Sequence, residues 1–470
     1  MTAAAPLIIL GLGVAVLLTV ITIHRSHLWA TATAKLALVI ALISIPFARH
    51  APASWPDLFD FGPLALGLIA LILVSAALIL AIGYAYWQKF QQPREEFPLL
   101  LLIATLGACT LAASASFITL FLGLETMTLA MIGMIAYPRD RPNAEEAALK
   151  YLVLSGMSSA FLLFGIGLIE LSSGSLGFSQ ALAAPATPLL VAGLAMIGVG
   201  AGFKLSVVPF HIWVPDIYAG APAPAGAYIA VIPKLAVFAV LIRLQEAAGV
   251  SLPAGLFAAI TAIAILSMLI GNLLALLQEN FKRILGYSSI AHLGYLLVAW
   301  LPAWGLAIGS VARVAVVFYL VTYAITLIGA FGVIAILSAG EEARDSDRVA
   351  DLRGLFWTRP ALAAALTMIL LSLAGIPPAI GFIAKMYIFA AGIHTNLWLL
   401  IGTMVASSVI GLFYYLTIII VMAQRPGAEV LHPRGIAWSS RLSLAALGAC
   451  VVGFGIAPQP LIMLVKAVLF

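Results

Sequence analysis

Long apolar runs separated by short polar connections dominate the chain. A helix needs roughly 20 apolar residues to cross a ~30 Å hydrocarbon layer. Fourteen runs of that length begin near Ala5, Trp29, Phe61, Phe97, Phe117, Glu146, Pro188, Pro222, Pro253, Ile284, Ser310, Pro360, Asn396 and Trp438. Proline interrupts the seventh and twelfth, and glycine flanks each interruption, so both predict a broken helix. The pattern predicts an all-α polytopic membrane protein. The first run has no basic stretch before it and reads as a retained span.

Composition agrees with the pattern. The 470 residues are 64% hydrophobic and 9% charged, with a mean hydropathy of +1.16. A single aqueous core cannot bury that much apolar surface. The Lys and Arg residues sit in the connections, unevenly. Fifteen fall in odd-numbered connections: Arg25, Lys89, Arg94, Arg139, Arg141, Lys150, Lys282, Arg283, Arg344, Arg348, Arg353, Arg359, Arg425, Arg434 and Arg441. Three fall in even-numbered ones: Arg49, Arg243 and Arg313. The positive-inside rule then puts the odd connections in the cytoplasm and both termini outside. The longest charged connection, Glu341 to Arg359, is too short for a domain. The basic residues form no nucleic-acid patch. Cys109 and Cys450 stand singly, and no Cys or His pair has metal-ligand spacing. The glycines from Gly198 to Gly202 lie inside a span, which excludes a dinucleotide turn.

Removing the connection charges leaves Lys35, Glu125, Lys204, Lys234 and Lys385 inside the runs. An ionised side chain at a helix centre costs roughly 2.5–3.5 kcal/mol, so the last four together cost on the order of 10–14 kcal/mol. Leucine would serve a purely structural helix, so these are candidate functional groups. Glu125 lies eight residues past Phe117, ~12 Å into the membrane. Lys204 precedes Pro209, where the helix should break, and irregular backbone at that depth is tolerated only around protein or water. Lys234 follows Pro233, and Lys385 follows the Gly375-Ile-Pro377-Pro378 break. Burial penalises a charged amine, while a neighbouring carboxylate favours it. A Glu125–Lys204 pair that forms and breaks would therefore switch a lysine between holding and releasing a proton. Lys35 is six residues from its helix start and reads as snorkelling to the interface. Lys150 either pairs with Glu146 one helical turn away or takes up protons. His211 either lines a water-filled gap or bonds the unwound backbone, and His292 is a further relay candidate.

Several longer motifs carry a resemblance. Phe203-Lys204-Leu-Ser-Val-Val-Pro-Phe-His-Ile-Trp-Val-Pro-Asp216-Ile-Tyr-Ala-Gly-Ala-Pro-Ala-Pro224 closely resembles the seventh-helix motif of the NADH-quinone oxidoreductase (respiratory complex I) subunit N family. Gly271-Asn-Leu-Leu-Ala-Leu-Leu-Gln278, Lys282-Arg-Ile-Leu-Gly-Tyr-Ser-Ser-Ile-Ala-His-Leu-Gly-Tyr295, Arg353-Gly-Leu-Phe-Trp357 and Ser372-Leu-Ala-Gly-Ile-Pro377 with Gly381-Phe-Ile-Ala-Lys385 are of the same type.

The resemblance implies an antiporter-like fold of about 14 transmembrane helices. Three N-terminal helices (1–96) precede two inverted five-helix repeats (97–248 and 249–425, helices 4–8 and 9–13), each with one broken helix, and a C-terminal helix (426–470) follows. It implies that Glu125, Lys204, Lys234 and Lys385 form a charged line for proton pumping. It further implies that NADH, FMN, iron–sulfur clusters and quinone are handled by other subunits, with no cofactor in this chain. Expected partners are neighbouring antiporter-like and small membrane-arm subunits and the lipid of a bacterial inner membrane. A cation/proton antiporter of the Mrp type and a proton-silent structural subunit remain the alternatives.

Overall fold

The computed structural model describes residues 2–52, 55, 57–88, 90, 93–185, 187–249, 254–304, 309–339, 344–426 and 438–469. Lys89, Pro253, Glu341 and Arg434, used in the sequence reading, lie outside the described residues. The described chain is helical, with no β-strand among the described residues. Its first half holds α1 (Ala5–Ile23), α2 (His27–Ala48), α3 (Pro63–Trp87), α4 (Glu96–Ala112), α5 (Phe117–Ile135), α6 (Pro142–Ser173), the short α7 (Phe178–Ala183), α8 (Pro188–Leu205), the short α9 (Val214–Gly220) and α10 (Ala223–Ala248). Its second half holds α11 (Ala254–Ala275), α12 (Phe281–Trp300), α13 (Gly309–Leu337), the short α14 (Leu355–Thr358), α15 (Pro360–Ala374), α16 (Ile380–His394), α17 (Trp398–Ala423), α18 (Trp438–Ile456) and α19 (Gln459–Leu469).

Twelve of the described helices are long and apolar enough to cross a membrane; α4, α15, α16 and α19 are shorter and apolar. Helix α6 begins at Pro142, so Glu146 and Lys150 stand inside it, where the hydropathy run alone starts later. The last run differs more. It holds two helices, α18 and α19, because Pro458 and Pro460 cannot donate backbone hydrogen bonds and end the first at Ile456.

Local chemistry accounts for many of the helix starts. Proline occupies the first turn of α1, α3, α6, α8 and α15, where its missing N–H costs nothing. The Ser116 and Asn280 side chains cap α5 and α12 by accepting backbone N–H groups of Ile118 and Arg283. Those two helices share a further device. Phe117 N donates to Leu176 O and Phe178 N to Ala115 O, both at 2.9 Å, tying the start of α5 to the segment after α6. Phe281 N donates to Asp347 O at 2.6 Å and Val349 N to Glu279 O at 2.9 Å, tying the start of α12 to the segment after α13.

Helices α10 and α12 are buried over 94% of their apolar window and α13 over 83%, against 22% for α1 and α11. The first three therefore form the centre and the others the rim. Close helix contact relies on small residues, as in many membrane bundles. A Cβ on Gly107 of α4 would stand 2.5 Å from Met127 N of α5, so the two backbones touch there.

Several of the connection charges gather together. Arg141, Lys150, Lys282, Arg283, Arg344 and Arg348, all from odd connections, surround one cavity of about 460 Å³. Arg243 and Arg313, from even connections, pair with Asp60 and Glu246 instead.

Both interrupted runs are interrupted in the structure, and by the same device. Helix α8 stops at Ser206 (φ 66°), with Val207 N donating back to Gly202 O at 3.1 Å. Helix α15 stops at Gly375 (φ 83°), with Ile376 N donating to Leu371 O at 3.0 Å. Each is a left-handed stop with a six-to-one hydrogen bond, and proline follows a few residues later. Serine in the left-handed region is strained where glycine is not. The chain bears that strain beside Lys204.

At the second stop the backbone is also tightly placed, since a Cβ on Gly381 would lie 1.8 Å from Ser372 O. Gly381→Ala is expected to destabilise the detergent-solubilised protein by about 1–3 kcal/mol. Gly156→Ala, which meets nothing within 4 Å, should leave the thermal midpoint unchanged. Equal midpoints for the two variants would show that the second stop is not tightly packed.

Candidate functional site

The broken helices and their neighbours bring most of the sequence-predicted groups into the interior. Lys204 sits in the last turn of α8, two residues before the stop, and is 1% exposed. Its ammonium donates to Thr128 Oγ1 of α5 at 2.8 Å and lies over the rings of Tyr151 and Phe203. Glu125 stands one turn before Thr128 on α5, partly exposed, and accepts a hydrogen bond from Ser159 of α6. Among the described residues no ion pair joins Glu125 to Lys204; the Thr128 hydroxyl stands in its place.

Trp213, just before α9, links the first lysine to the second. Its indole N–H donates to Phe203 O at 3.1 Å, a carbonyl in the last turn of α8 that also accepts from Ser206 N at 3.0 Å. Its ring stacks on Phe203 at 5.2 Å, and the Lys234 ammonium lies 5.3 Å from its centre. Lys234 itself is fully buried and donates to Ile229 O at 3.1 Å. That carbonyl is available because the residue four positions on is Pro233, which has no N–H to offer it. Helix α10 continues through Pro233, so the proline supplies an acceptor for its neighbour without breaking the helix.

From Lys234 hydroxyl groups lead toward α12. Tyr218 of α9 faces the Lys234 ammonium at 5.7 Å from its ring centre and lies 3.5 Å from Ser289 Oγ. Ser289 is 2.6 Å from the Tyr323 hydroxyl. His292, one turn beyond Ser289, is buried with Nδ1 2.7 Å from the Tyr319 hydroxyl and Nε2 3.4 Å from that of Tyr415. A cavity of about 10 Å³ lined by His292, Tyr319, Tyr323, Ser372 and Lys385 lies next to it. That volume is close to what one water molecule needs.

Lys385 belongs to α16, after the second stop, yet its side chain folds back across the break. Its ammonium donates to Leu373 O at 3.2 Å, Ala374 O at 2.8 Å and Ser408 Oγ at 2.7 Å. The first two are terminal carbonyls of α15, where a cation is favoured by unpaired acceptors and by the helix dipole. Its ammonium also lies 5.2 Å from the ring centre of Tyr295.

The weaker candidates lie apart. Lys150 is exposed at the edge of the large cavity, paired with Glu146 at 2.7 Å and with Asp216 of α9 at 3.0 Å. Asp216 also binds Arg283 at 2.7 Å. His211 occupies the break between α8 and α9, and its buried Nδ1 has no hydrogen-bond partner among the described residues. Lys35 has its ammonium 5.7 Å from the centre of the Tyr84 ring.

Sequence reasoning missed the groups between the charges: Thr128, Trp213, Tyr218, Ser289, Tyr319, Tyr323 and Tyr415. Trp213 and Tyr218 lie in the seventh-helix motif, where an aromatic residue beside a break was the available signal. The others are polar residues in apolar helices, and only tertiary packing distinguishes them from bystanders.

Comparisons with known proteins fit this geometry. Residues 114–411 match the family described as NADH:quinone oxidoreductase/Mrp antiporter, TM. NADH-quinone oxidoreductase subunit N of Ectopseudomonas mendocina (strain ymp) is 41% identical over 475 residues, covering 98% of this chain and 95% of that one. Its counterpart from Methylococcus capsulatus (strain Bath) is 41% identical over 473 residues, with 98% and 94% covered. A chain of respiratory complex I from Thermus thermophilus superposes with a TM-score of 0.85 at 30% identity, covering 98% of this chain and 99% of that chain. A chain of the Mrp complex from Dietzia sp. gives a TM-score of 0.86 at 19% identity, covering 99% and 96%, a likeness of fold alone. With its motifs, broken helices and nearly full-length relatives in agreement, the chain belongs to the family of NADH-quinone oxidoreductase subunit N.

Proposed function

We propose that the chain is a proton-translocating membrane-arm subunit of a complex I type NADH:quinone oxidoreductase, and that it moves protons along Glu125, Lys204, Lys234, His292 and Lys385. One observation carries the reading. Lys204, Lys234 and Lys385 are buried at 1%, 0% and 9% exposure, and among the described residues each bonds neutral oxygens with no carboxylate within 4.0 Å. A structural role would pair such charges or replace them, because an isolated buried cation costs several kcal/mol. A proton carrier needs the opposite: a site that tolerates both the ammonium and the amine.

Each lysine's acceptors suit that need. Thr128, Ser408 and the backbone carbonyls hold the charged form by accepting its hydrogen bonds, and none is itself a fixed charge. Tyr218, Ser289, Tyr323 and Tyr319 both donate and accept, so a proton passed in at one oxygen can leave from another. The cavity beside His292 provides room for the water that joins it to Lys385. The large charged cavity around Lys150 and Asp216 is the proposed mouth on the cytoplasmic side. Moving one charge against the membrane potential costs ~2.3 kcal/mol per 100 mV. The driving force therefore comes from redox chemistry in other subunits, to which we assign NADH, FMN, the iron–sulfur clusters and quinone.

The two helix-start bridges at Phe117 and Phe281 support division into two five-helix repeats, 97–248 and 249–425. Glu125, partly exposed on the α5–α6 side, is a poor surface for lipid and fits a face covered by a neighbouring membrane subunit. In this arrangement the protein is a multi-pass bacterial inner-membrane subunit with both termini outside.

Three measurements test these assignments. In the assembled complex, Lys204→Ala is expected to lower the protons translocated per NADH oxidised while the subunits still assemble; normal pumping in that intact variant would remove Lys204 from the path. Pro233→Ala returns a backbone donor to the Ile229 carbonyl and competes with the Lys234 ammonium. A hydrogen bond to a charged group is worth about 1.5–3 kcal/mol, so proton translocation should slow by about tenfold or more with assembly unchanged; a wild-type rate would show that this bond does not position Lys234. For orientation, Ala350→Cys should react with an impermeant maleimide only in inverted vesicles and His50→Cys only in right-side-out ones. The reverse pattern would invert the topology.

A further inference from the structure

Asp345 lies in the connection after α13, outside the groups named in the proton path, with its side chain 1% exposed. Four donors from four other parts of the chain converge on its carboxylate. They are the Tyr86 hydroxyl at the end of α3 (2.7 Å), the Arg141 guanidinium just before α6 (2.8 Å), the Lys282 ammonium in the first turn of α12 (2.8 Å) and the backbone N–H of Ala223, the first residue of α10 (2.9 Å). Lys282 in turn donates to Ala219 O at 3.1 Å and Ala221 O at 2.8 Å. The short connection from α9 to α10 is thus gripped from both sides, its N–H by Asp345 and its carbonyls by Lys282.

The elements held there are the ones that carry the path. Helix α9 brings Tyr218, with Trp213 at its start; α10 brings Lys234; α12 brings Ser289 and His292. One residue from the second half of the chain therefore fixes the junction between two helices of the first. Burying a carboxylate with two cations costs desolvation that apolar packing would avoid, and such clusters are better suited to fixing a geometry than to adding stability.

We propose that Asp345 is a positioning residue for proton transfer: together with Lys282 it holds the α9–α10 connection and so sets the placement of Trp213, Tyr218 and Lys234 against Ser289 and His292. The proposal rests on the relay reading above. Asp345 does not itself carry the proton. Burial alone would raise its carboxyl, but Lys282 and Arg141 more than reverse this and hold it at about 2. Because that value lies below the ~3.9 of an unfolded aspartate, its stabilising contribution is complete above pH ~4 and is lost as pH falls towards 2. The clamp stays charged throughout the working range.

The test uses the assembled complex in sealed vesicles, reading NADH:quinone turnover and protons moved per NADH, both per assembled complex. Asp345→Asn combined with Lys282→Gln removes one charge of each sign, and with Lys282 goes its second carboxylate contact, Asp347 at 3.4 Å. The expected result is normal assembly with turnover lowered at least threefold and a reduced proton-to-NADH ratio, while Asp345→Glu, which keeps the charge, recovers most of both. A wild-type ratio and turnover in the double variant would overturn the proposal, since a mere staple predicts that outcome once the complex has assembled. Should the double variant not assemble, Ala223→Pro gives the answer instead. It replaces the N–H that Asp345 accepts with a ring carbon that also pushes the carboxylate away, at a first helical position where the proline φ is tolerated, and a wild-type ratio there would equally overturn the proposal. Lys204→Ala in parallel separates the two claims. If it abolishes pumping while the Asp345 and Ala223 variants pump normally, only the positioning role fails; if it too pumps normally, the relay reading itself fails.

Discussion

Holding a lysine ammonium at membrane depth without a carboxylate beside it is the constraint on which the rest of this structure depends. The chain meets it three times in three ways. Lys204 uses a hydroxyl on a facing helix, Lys234 a carbonyl exposed by its own neighbouring proline, and Lys385 the terminal carbonyls of a helix that stops in the protein interior. Aromatic faces complete each site. Neutral acceptors of this kind lower the cost of the charge without fixing it, as the proposed transit role requires and a salt bridge does not.

The helix interruptions follow from the same requirement. A continuous helix consumes its own carbonyls and offers an interior ammonium nothing to bind. Stopping α15 at Gly375 leaves the Leu373 and Ala374 carbonyls to Lys385, and at the end of α8 Trp213 adds a second donor to the Phe203 carbonyl that Ser206 N already serves. The proline at position 233 achieves a smaller version of this inside an unbroken helix. Ordinary hydrogen-bond bookkeeping of the backbone thus accounts for where the charges can sit.

Much of this was legible in the sequence because membrane insertion makes it one-dimensional. Apolar runs mark helices, and a lysine in a run such as that around Lys234 is conspicuous by its cost. What was not legible depends on folding back or on distant pairing. Pro209 and Pro377 announce the two breaks, but the stops themselves come earlier, at Ser206 and Gly375, and are made by left-handed residues that hydropathy does not register. Nothing local says that Lys385 reaches back over the break, or that Thr128 rather than Glu125 receives Lys204. Asp345 reads from sequence as one more charge in a polar connection; its burial appears only when four other segments arrive around it. The division of the last run into α18 and α19 was signalled by Pro458 and Pro460, although the total length of the run suggested one helix.

The central claim is that the three lysines form one route rather than three separate structural charges. The most direct measurement is the number of protons moved per NADH oxidised by the purified assembly in liposomes when Lys234, the middle group, is replaced by glutamine. A single route predicts that the ratio falls while NADH oxidation continues in an intact complex. An unchanged ratio would contradict the account, because protons would then be crossing without the group that joins its two ends.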